Sequence, residues 1–388
     1  MNRKLRMGMI GGGKDAFIGA IHRIAANMDG LVELVCGSLS INKEIAIDSG
    51  RTLFLPEDRI YTSWEEMLES ESKLPDGERM DFVTIVTPNF AHFAPAMMAL
   101  DKGFDVVVEK PITLSLDEAL QLKDKLDATG RTLCLTHTYT GYPMVKQAKS
   151  LVQSGSLGRI KKVFVEYRQG WLSKLLEREG NQGAAWRTDP KKGGKSAVMG
   201  DIGTHAFNLA EYISGLQVSE VCADLNTMVD GRQLDDDGSV LLKFDNGARG
   251  VLAATQVAAG EENNLTIKVY GENGGLEWHQ QEPNTLLVKW ADKPAEILRA
   301  GQPYLSDMAR HNCRTPGGHP EGYLEAFGNI YRNFAFTVVA KKLGASVDEA
   351  IVEFPSVTEG IRGMAFVESV VRSSQSNEKW TPYSLEVQ

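Results

Sequence analysis

Cysteine is scarce in this 388-residue chain. Its four residues, Cys36, Cys134, Cys222 and Cys313, lie far apart and none forms a Cys-x-x-Cys pair. A sequence-local zinc motif is therefore absent, and no metal site is expected. Cys36 and Cys134 stand in apolar, strand-like runs, where a thiol behaves as a small buried hydrophobe rather than a nucleophile. Long apolar runs are also missing: no window reaches the roughly 18 residues of a membrane span. Met1 to Arg6 carries three basic side chains, but the apolar stretch behind it is short and runs into glycines. That is not the pattern of a signal peptide, so a cytoplasmic address is the default expectation. There is no long basic run, and the formal net charge is -9. Nucleic-acid binding needs a clustered positive face and is not expected.

What is present is the balance of a globular protein, with 42% hydrophobic and 24% charged residues. The length exceeds one ordinary core, so two domains are expected. Up to residue 136, short Val- and Ile-rich runs alternate with helix-like stretches. Strands read at Leu5–Ile10, Val32–Cys36, Phe82–Thr87, Asp105–Glu109 and Thr132–Thr136. Helices read at Ile18–Met28, Trp64–Ser70, Ala91–Lys102 and Leu116–Thr129. This rhythm predicts βαβ units and a parallel sheet covered on both faces. From residue 137 to 388 the rhythm changes. Helices read at Tyr142–Gln153, Gly203–Ile213, Gly322–Leu343 and Val357–Ser374. Strand-like segments crowd between residues 160 and 290, joined by hairpin-type turns such as Asp245-Asn246-Gly247. An antiparallel or mixed sheet with helices on one side follows, and its open face would be covered by another subunit.

Gly11-Gly12-Gly13 comes directly after the first strand and before a helix. Gly11 would permit a tight turn, and Gly13 a close approach of backbone to a pyrophosphate. Amides at the start of the next helix would face that anion. Either Ala16 or Gly19 fills the third position of the fingerprint; with Gly19 the loop is three residues longer than usual. The second strand is followed by Ser38, Ser40, Asn42 and Lys43, with no carboxylate before Glu44 and no arginine. NAD and NADP both remain open as the cofactor.

Two further elements carry chemistry. Glu109-Lys110-Pro111 ends a strand, where ligands bind in a doubly wound sheet. Lys110 could donate hydrogen bonds to a substrate hydroxyl or a developing alkoxide, and the Lys110–Pro111 bond is a candidate for the cis form. Gly200-Asp201-Ile202-Gly203-Thr204-His205 sets a carboxylate and an imidazole four apart, on one face of a helix. Asp201 at the helix start also reads as a cap. Imidazole titrates near neutrality and suits a general base.

Taken together, Gly11-Gly12-Gly13, Thr87-Pro88-Asn89 with His92, Glu109-Lys110-Pro111 and Asp201-x-x-x-His205 resemble the Gfo/Idh/MocA family of oxidoreductases. The similarity includes Tyr270–Glu277. The resemblance implies an α/β chain: an N-terminal Rossmann domain, then a C-terminal α/β domain whose large, mostly antiparallel sheet forms a homodimer or homotetramer interface. It implies Lys110, Asp201 and His205 as the catalytic set. Thr87, Pro88, Asn89 and His92 would lie along the cofactor, with Glu109 near the nicotinamide ribose. The substrate would be a sugar, a sugar derivative or a cyclitol. Two departures stand out. The extended glycine loop leaves the cofactor contacts of Lys14, Asp15, Ala16 and Phe17 unsettled. Many relatives carry an aspartate where this chain has Asn208.

On this reading His205 accepts the proton of a ring hydroxyl as hydride passes to nicotinamide, Lys110 holds the same oxygen, and Asp201 orients the histidine. His137, Tyr139, Trp171, Trp186 and Arg187 are candidate substrate contacts; aromatic faces stack on sugars and arginine donates to vicinal oxygens. The two tryptophans are equally well read as packing. His319 and Tyr323 would reach the site or a neighbouring subunit. Two other classes are alternatives: a glycoside hydrolase that uses bound NAD transiently, and a non-catalytic cofactor sensor, against which the intact Lys110, Asp201 and His205 set argues.

Overall fold

The computed structural model describes residues 3–14 and 16–387. It contains two compact units. The first takes the chain to Thr113, then Asp117–Thr138 and Phe327–Gly360; the second takes Leu114–Leu116, Tyr139–Ala326 and the chain from Ile361. The division differs from a single boundary at residue 136. Burial is the reason: Phe334 packs edge-on against Phe82, with ring centroids 5.1 Å apart, and both are fully buried. The N-terminal sheet thus completes its core with a segment from the C-terminal third.

In the first unit the order is β1 (Leu5–Gly11), α1 (Phe17–Asn27), β2 (Val32–Ser38), α2 (Lys43–Thr52), α3 (Trp64–Lys73), β3 (Phe82–Val86), α4 (Phe93–Asp101), β4 (Asp105–Val108), α5 (Leu116–Thr129) and β5 (Leu133–Leu135). The five strands form a parallel sheet in the order β2-β1-β3-β4-β5. Every residue of β3, β4 and β5 is buried, which explains their unbroken apolar runs. Helix α2 has no counterpart in the sequence reading, because its apolar residues are few. It starts on Asn42, whose side chain accepts hydrogen bonds from the N–H groups of Glu44 and Ile45. The strand order reverses between β1 and β3, the place where this fold binds ligands.

The second unit carries α6 (Pro143–Gln153), β6 (Lys162–Arg168), α7 (Gln182–Arg187), α8 (Pro190–Gly193) and α9 (Thr204–Ser214), then β7 (Val218–Asn226), β8 (Asp237–Phe244), β9 (Arg249–Thr255), β10 (Asn264–Tyr270), β11 (Gly274–His279), β12 (Thr285–Trp290) and β13 (Glu296–Arg299). After these come α10 (Asp307–His311), α11 (Tyr323–Leu343), α12 (Val357–Gln375) and β14 (Thr381–Pro382). The chain passes back to the first unit within α11 and returns within α12. Nine strands form one sheet, ordered β13-β12-β11-β10-β6-β9-β8-β7-β14. β6 pairs parallel with β9, and the other described pairings are antiparallel. One face packs on α6 and α9 around Tyr142, Phe207, Trp278 and Phe366. The edge strands β13 and β14 and the short helices α7 and α8 escaped the sequence reading, since none is long enough to show a period. No described helix is long and apolar enough to cross a membrane.

Candidate active site

The glycine turn closes β1 with two left-handed residues, Gly11 at φ 78° and Gly12 at φ 73°. The structure decides between Ala16 and Gly19. A Cβ on Gly19 would lie 2.3 Å from the Cα of Gly12, so Gly19 fills the close-packing position and α1 sits directly on the turn. The role expected of Gly13 needs correction. A Cβ there would lie 2.7 Å from both Leu39 O and Ser49 Oγ, and its N–H donates to Leu39 O at 3.0 Å. Its close approach is to the chain's own Leu39, just after β2, and to Ser49 within α2. Ala16 precedes α1 without a side-chain cap, and the first turn of α1 holds no acidic residue. That bare helix start suits the phosphates of a dinucleotide.

The other residues expected at the cofactor are spread unevenly. Phe17 is exposed, and Lys14 pairs with Asp48 at 3.0 Å on the surface. Asp15 lies outside the described residues. Ser38 ends β2 and is buried; Ser40 Oγ accepts from Asn42 N–H at 3.1 Å, and Lys43 is exposed at the start of α2. Thr87, Pro88 and Asn89 follow β3 at the switch point. Thr87 Oγ1 donates to Ala91 O at 2.9 Å. His92 is fully buried, with its ring nitrogens 2.8 Å from the carbonyls of Thr87 and Pro111. It braces the two loops from behind instead of lining the cofactor. Burial lowers its pKa against the opposing pull of those carbonyls.

Glu109 and Lys110 follow β4, and the Lys110–Pro111 peptide is cis. The Glu109 carboxylate is already engaged: Oε1 lies 2.8 Å from His22 Nε2, and Oε2 accepts from the Lys110 N–H at 3.0 Å. Burial pushes its pKa up, but hydrogen bonding to His22 and the nearby charges of His22 and Lys110 outweigh that and hold it below the ordinary range. His137 is buried in the same unit. Burial first, then the charge of Lys110, push its pKa down to about 3, so it is a neutral imidazole.

Asp201 and His205 belong to the second unit. Asp201 does not cap a helix as the sequence suggested. It lies in a π-helical turn, Met199–Gly203, that runs straight into α9. Such wide turns often mark functional sites, because they re-aim a side chain out of α-helical register. The Asp201 carboxylate accepts a hydrogen bond from Gln256 Nε2 at 2.8 Å and faces Arg187 Nε at 3.2 Å, both on Oδ2. His205 is buried, with the Tyr139 ring edge-on to it at 4.9 Å between centroids. Tyr139 is hydrogen-bonded to Tyr167, and its hydroxyl accepts from Asn263 Nδ2 at 3.0 Å. Asn208 is buried one turn further along α9.

Trp171 and Trp186 take the packing role as much as any other: the Arg187 guanidinium lies 4.2 Å from the Trp186 centroid and 5.7 Å from that of Trp171. The stack fixes Arg187 against Asp201. Tyr323 lies within the second unit near Tyr139, with centroids 6.5 Å apart, whereas His319 is exposed. Several participants were not anticipated. Gln256 is a fully buried carboxamide at the end of β9, and Arg23 Nη1 donates to Gly12 O at 2.5 Å. Arg232, with no side-chain exposure, donates to Leu172 O and Lys174 O and pairs with Glu177 and Asp236, fixing the loop after Trp171. No local pattern marks them, since each acts on a distant segment. All four cysteines are free, with Cys36 and Cys134 buried. Among the described residues no His, Cys, Asp and Glu cluster could hold a metal ion.

Residues 5–137 match the oxidoreductase family, NAD-binding Rossmann fold, and residues 145–277 match the GFO/IDH/MocA C-terminal domain. The uncharacterized oxidoreductase YfiI of Bacillus subtilis is 30% identical, over 99% of this chain and 98% of its own length. An oxidoreductase from Sinorhizobium meliloti is 43% identical with a TM-score of 0.88, covering 98% of this chain and 99% of that one. An inositol dehydrogenase homolog from Azotobacter vinelandii, solved with NAD+ and also with NADH and myo-inositol, is 32% identical. In its NAD+ complex the TM-score is 0.93, over 99% of this chain and 98% of that chain. With an NAD-binding Rossmann unit, a large mostly antiparallel C-terminal sheet and both family models matched, the chain belongs to the Gfo/Idh/MocA family of oxidoreductases.

Proposed function

We propose that this oxidoreductase is a dehydrogenase for a ring secondary hydroxyl of a sugar, glycoside or cyclitol, with Lys110, Asp201 and His205 as its catalytic residues. The observation that carries the reading is the Asp201 carboxylate, held by Gln256 and Arg187 in a π-helical turn just before a buried His205. When bound, the nicotinamide supplies the hydride acceptor. His205 takes the hydroxyl proton, a role suited to an imidazole in a site shielded from water. Lys110 donates to the same oxygen and offsets its growing negative charge. Asp201 bonds a neighbouring hydroxyl and sets the orientation of the site. The NAD-binding family match and the NAD+ and NADH complexes of the Azotobacter vinelandii homolog support NAD as the cofactor, while Ser38, Ser40 and Lys43, with no carboxylate beside them, leave room for a 2′-phosphate.

Lys110→Ala and His205→Ala should each lose about 10²–10⁴-fold in turnover while NADH still binds. The assay is reduced-nicotinamide absorbance with inositols, monosaccharides and methyl glycosides, using both cofactors. Near-normal turnover in both variants would remove the assignment. The outer sheet face supports a homodimer or homotetramer. Leu241, Val251 and Phe164 lie in register on β8, β9 and β6, turned away from the buried positions of those strands. A sedimentation measurement showing a monomer would refute it.

A further inference from the structure

We propose that the substrate site continues past the ring addressed by Asp201 and His205 into a second sugar subsite, so that the preferred substrate is a neutral disaccharide or extended glycoside. The inference rests on the reading of Asp201 and His205 as the reaction centre. Its basis is a row of carboxamides at one end of the nine-stranded sheet. Gln256 follows β9, Gln169 follows β6, Asn263 precedes β10 and Gln280 follows β11. These four strands are consecutive neighbours. Adjacent strands lie about 4.8 Å apart, so the row extends about 14 Å from the Asp201 side.

The row is wired together at its inner end. Gln256 Nε2 donates to Asp201 Oδ2 at 2.8 Å and lies 3.3 Å from Gln169 Oε1. Gln169 Nε2 donates to Asn263 Oδ1 at 2.7 Å, and Asn263 Nδ2 donates to Tyr139 Oη. At its outer end the row opens into a pocket of about 480 Å³ lined by Tyr142, Glu262, Asn263, Gln280, Gln281 and Tyr323, with Pro283 and Gly322. That volume is in the range of small-molecule sites. Tyr139 joins the two ends: its ring is 4.9 Å from His205, 6.3 Å from Tyr142 and 6.5 Å from Tyr323, centroid to centroid.

Gln256 Oε1, along this path, is buried without a hydrogen-bond partner, and the Tyr142 hydroxyl faces the Gln280 side chain. Tyr142 is only 2% exposed and yet lines the pocket. A buried carboxamide oxygen left unpaired, as in Gln256, is costly, and a substrate hydroxyl would satisfy it. The lining also selects the ligand class. It offers amides, phenols and one carboxylate, and among the described residues no lysine or arginine. Such a pocket suits an uncharged polyol ring and disfavours a sugar phosphate or sugar acid. Tyr323 supplies an aromatic face for stacking.

The test is binding, read by calorimetry on the NADH-loaded enzyme so that no turnover occurs. Methyl glycosides of glucose, galactose and mannose are compared with disaccharides of the same sugars and with hexose 6-phosphates. At least one disaccharide should bind about tenfold tighter than the methyl glycoside of its reacting ring. Tyr142→Phe and Gln280→Ala should each erase most of that gain, leaving methyl-glycoside affinity unchanged. Equal affinities across the panel, no disaccharide binding, preference for a hexose phosphate, or variants that weaken both ligands alike would overturn the subsite. Oxidation of the methyl glycosides with NAD+ is measured separately and judges the reaction centre alone.

Discussion

The imidazole of His22 and the carboxylate of Glu109 meet at 2.8 Å although 87 positions separate them. The other ring nitrogen of His22 lies 2.6 Å from the Tyr331 hydroxyl, which is itself 3.2 Å from Thr84 Oγ1. Helix α1, which starts at the glycine turn, is thereby tied to the residue beside Lys110 and to the returning helix α11. Replacing His22 by leucine leaves a buried carboxylate without this partner. We expect a stability loss of about 2–4 kcal/mol, measured by urea unfolding. A loss under about 0.5 kcal/mol would show that the contact is incidental.

Gly19→Ala tests the cofactor turn. The added methyl meets the Cα, C and O of Gly12 at 2.3–2.6 Å, against backbone that cannot swing aside. Helix α1 must move off the turn, taking its N-terminal amides with it. NADH affinity, followed by fluorescence titration, should fall at least about tenfold, the equivalent of one lost hydrogen bond to a charged group. Unchanged affinity would mean that the Gly12–Gly19 contact does not shape the phosphate site.

Arg232 tests the loop that presents Trp171. Its guanidinium is wholly buried among Asp236, Glu177 and two backbone carbonyls. Arg232→Met retains much of the volume but strands two carboxylates. The expected cost is about 3–5 kcal/mol in chemical denaturation, and proteolysis should cut first within Leu172–Arg178. An Arg232→Met protein as stable as the parent would contradict the role.

Glu277 carries the pH prediction. It faces Lys289 at 2.8 Å, His279 at 2.7 Å and Lys268 at 3.4 Å across β10, β11 and β12. Burial raises its pKa, but the hydrogen bonds from Lys289 and His279 and the charges of Lys268 and Lys289 win, and bring it down to about 2 from the ordinary 4.5. A depressed carboxylate stabilises the fold above its unfolded pKa, and loses that contribution as pH falls through the folded one. Glu277→Gln should therefore cost about 1 kcal/mol at neutral pH. The difference from the parent should shrink between pH 4.5 and about 2. A difference independent of pH over that window would exclude the charge as its source.

Much of the candidate site was legible along the chain. The glycine turn, Glu109-Lys110-Pro111 and Asp201-x-x-x-His205 are local patterns, and the Val-rich runs of β3 and β4 announce burial on both faces. Other features were not. Helix α2 is polar and short, and the π-helical turn at Asp201 is invisible to a 3.6-residue period. The resemblance sets His92 along the cofactor, and only its burial between the carbonyls of Thr87 and Pro111 shows it as a strut.

The sequence by itself determined the alternation of strands and helices, the family and the residue types available for chemistry, because each depends on neighbours within about one turn or one strand. The tertiary structure alone decided that Gly19 rather than Ala16 completes the glycine turn, that His22 and Tyr331 support Glu109, and that Gln256 and Arg187 grip Asp201. The domain division belongs to it as well, since Phe327–Gly360 joins the first unit from far downstream. These are meetings between distant segments. They follow from strand order and from the need to pair every buried polar group, and neither is written in any local run of residues.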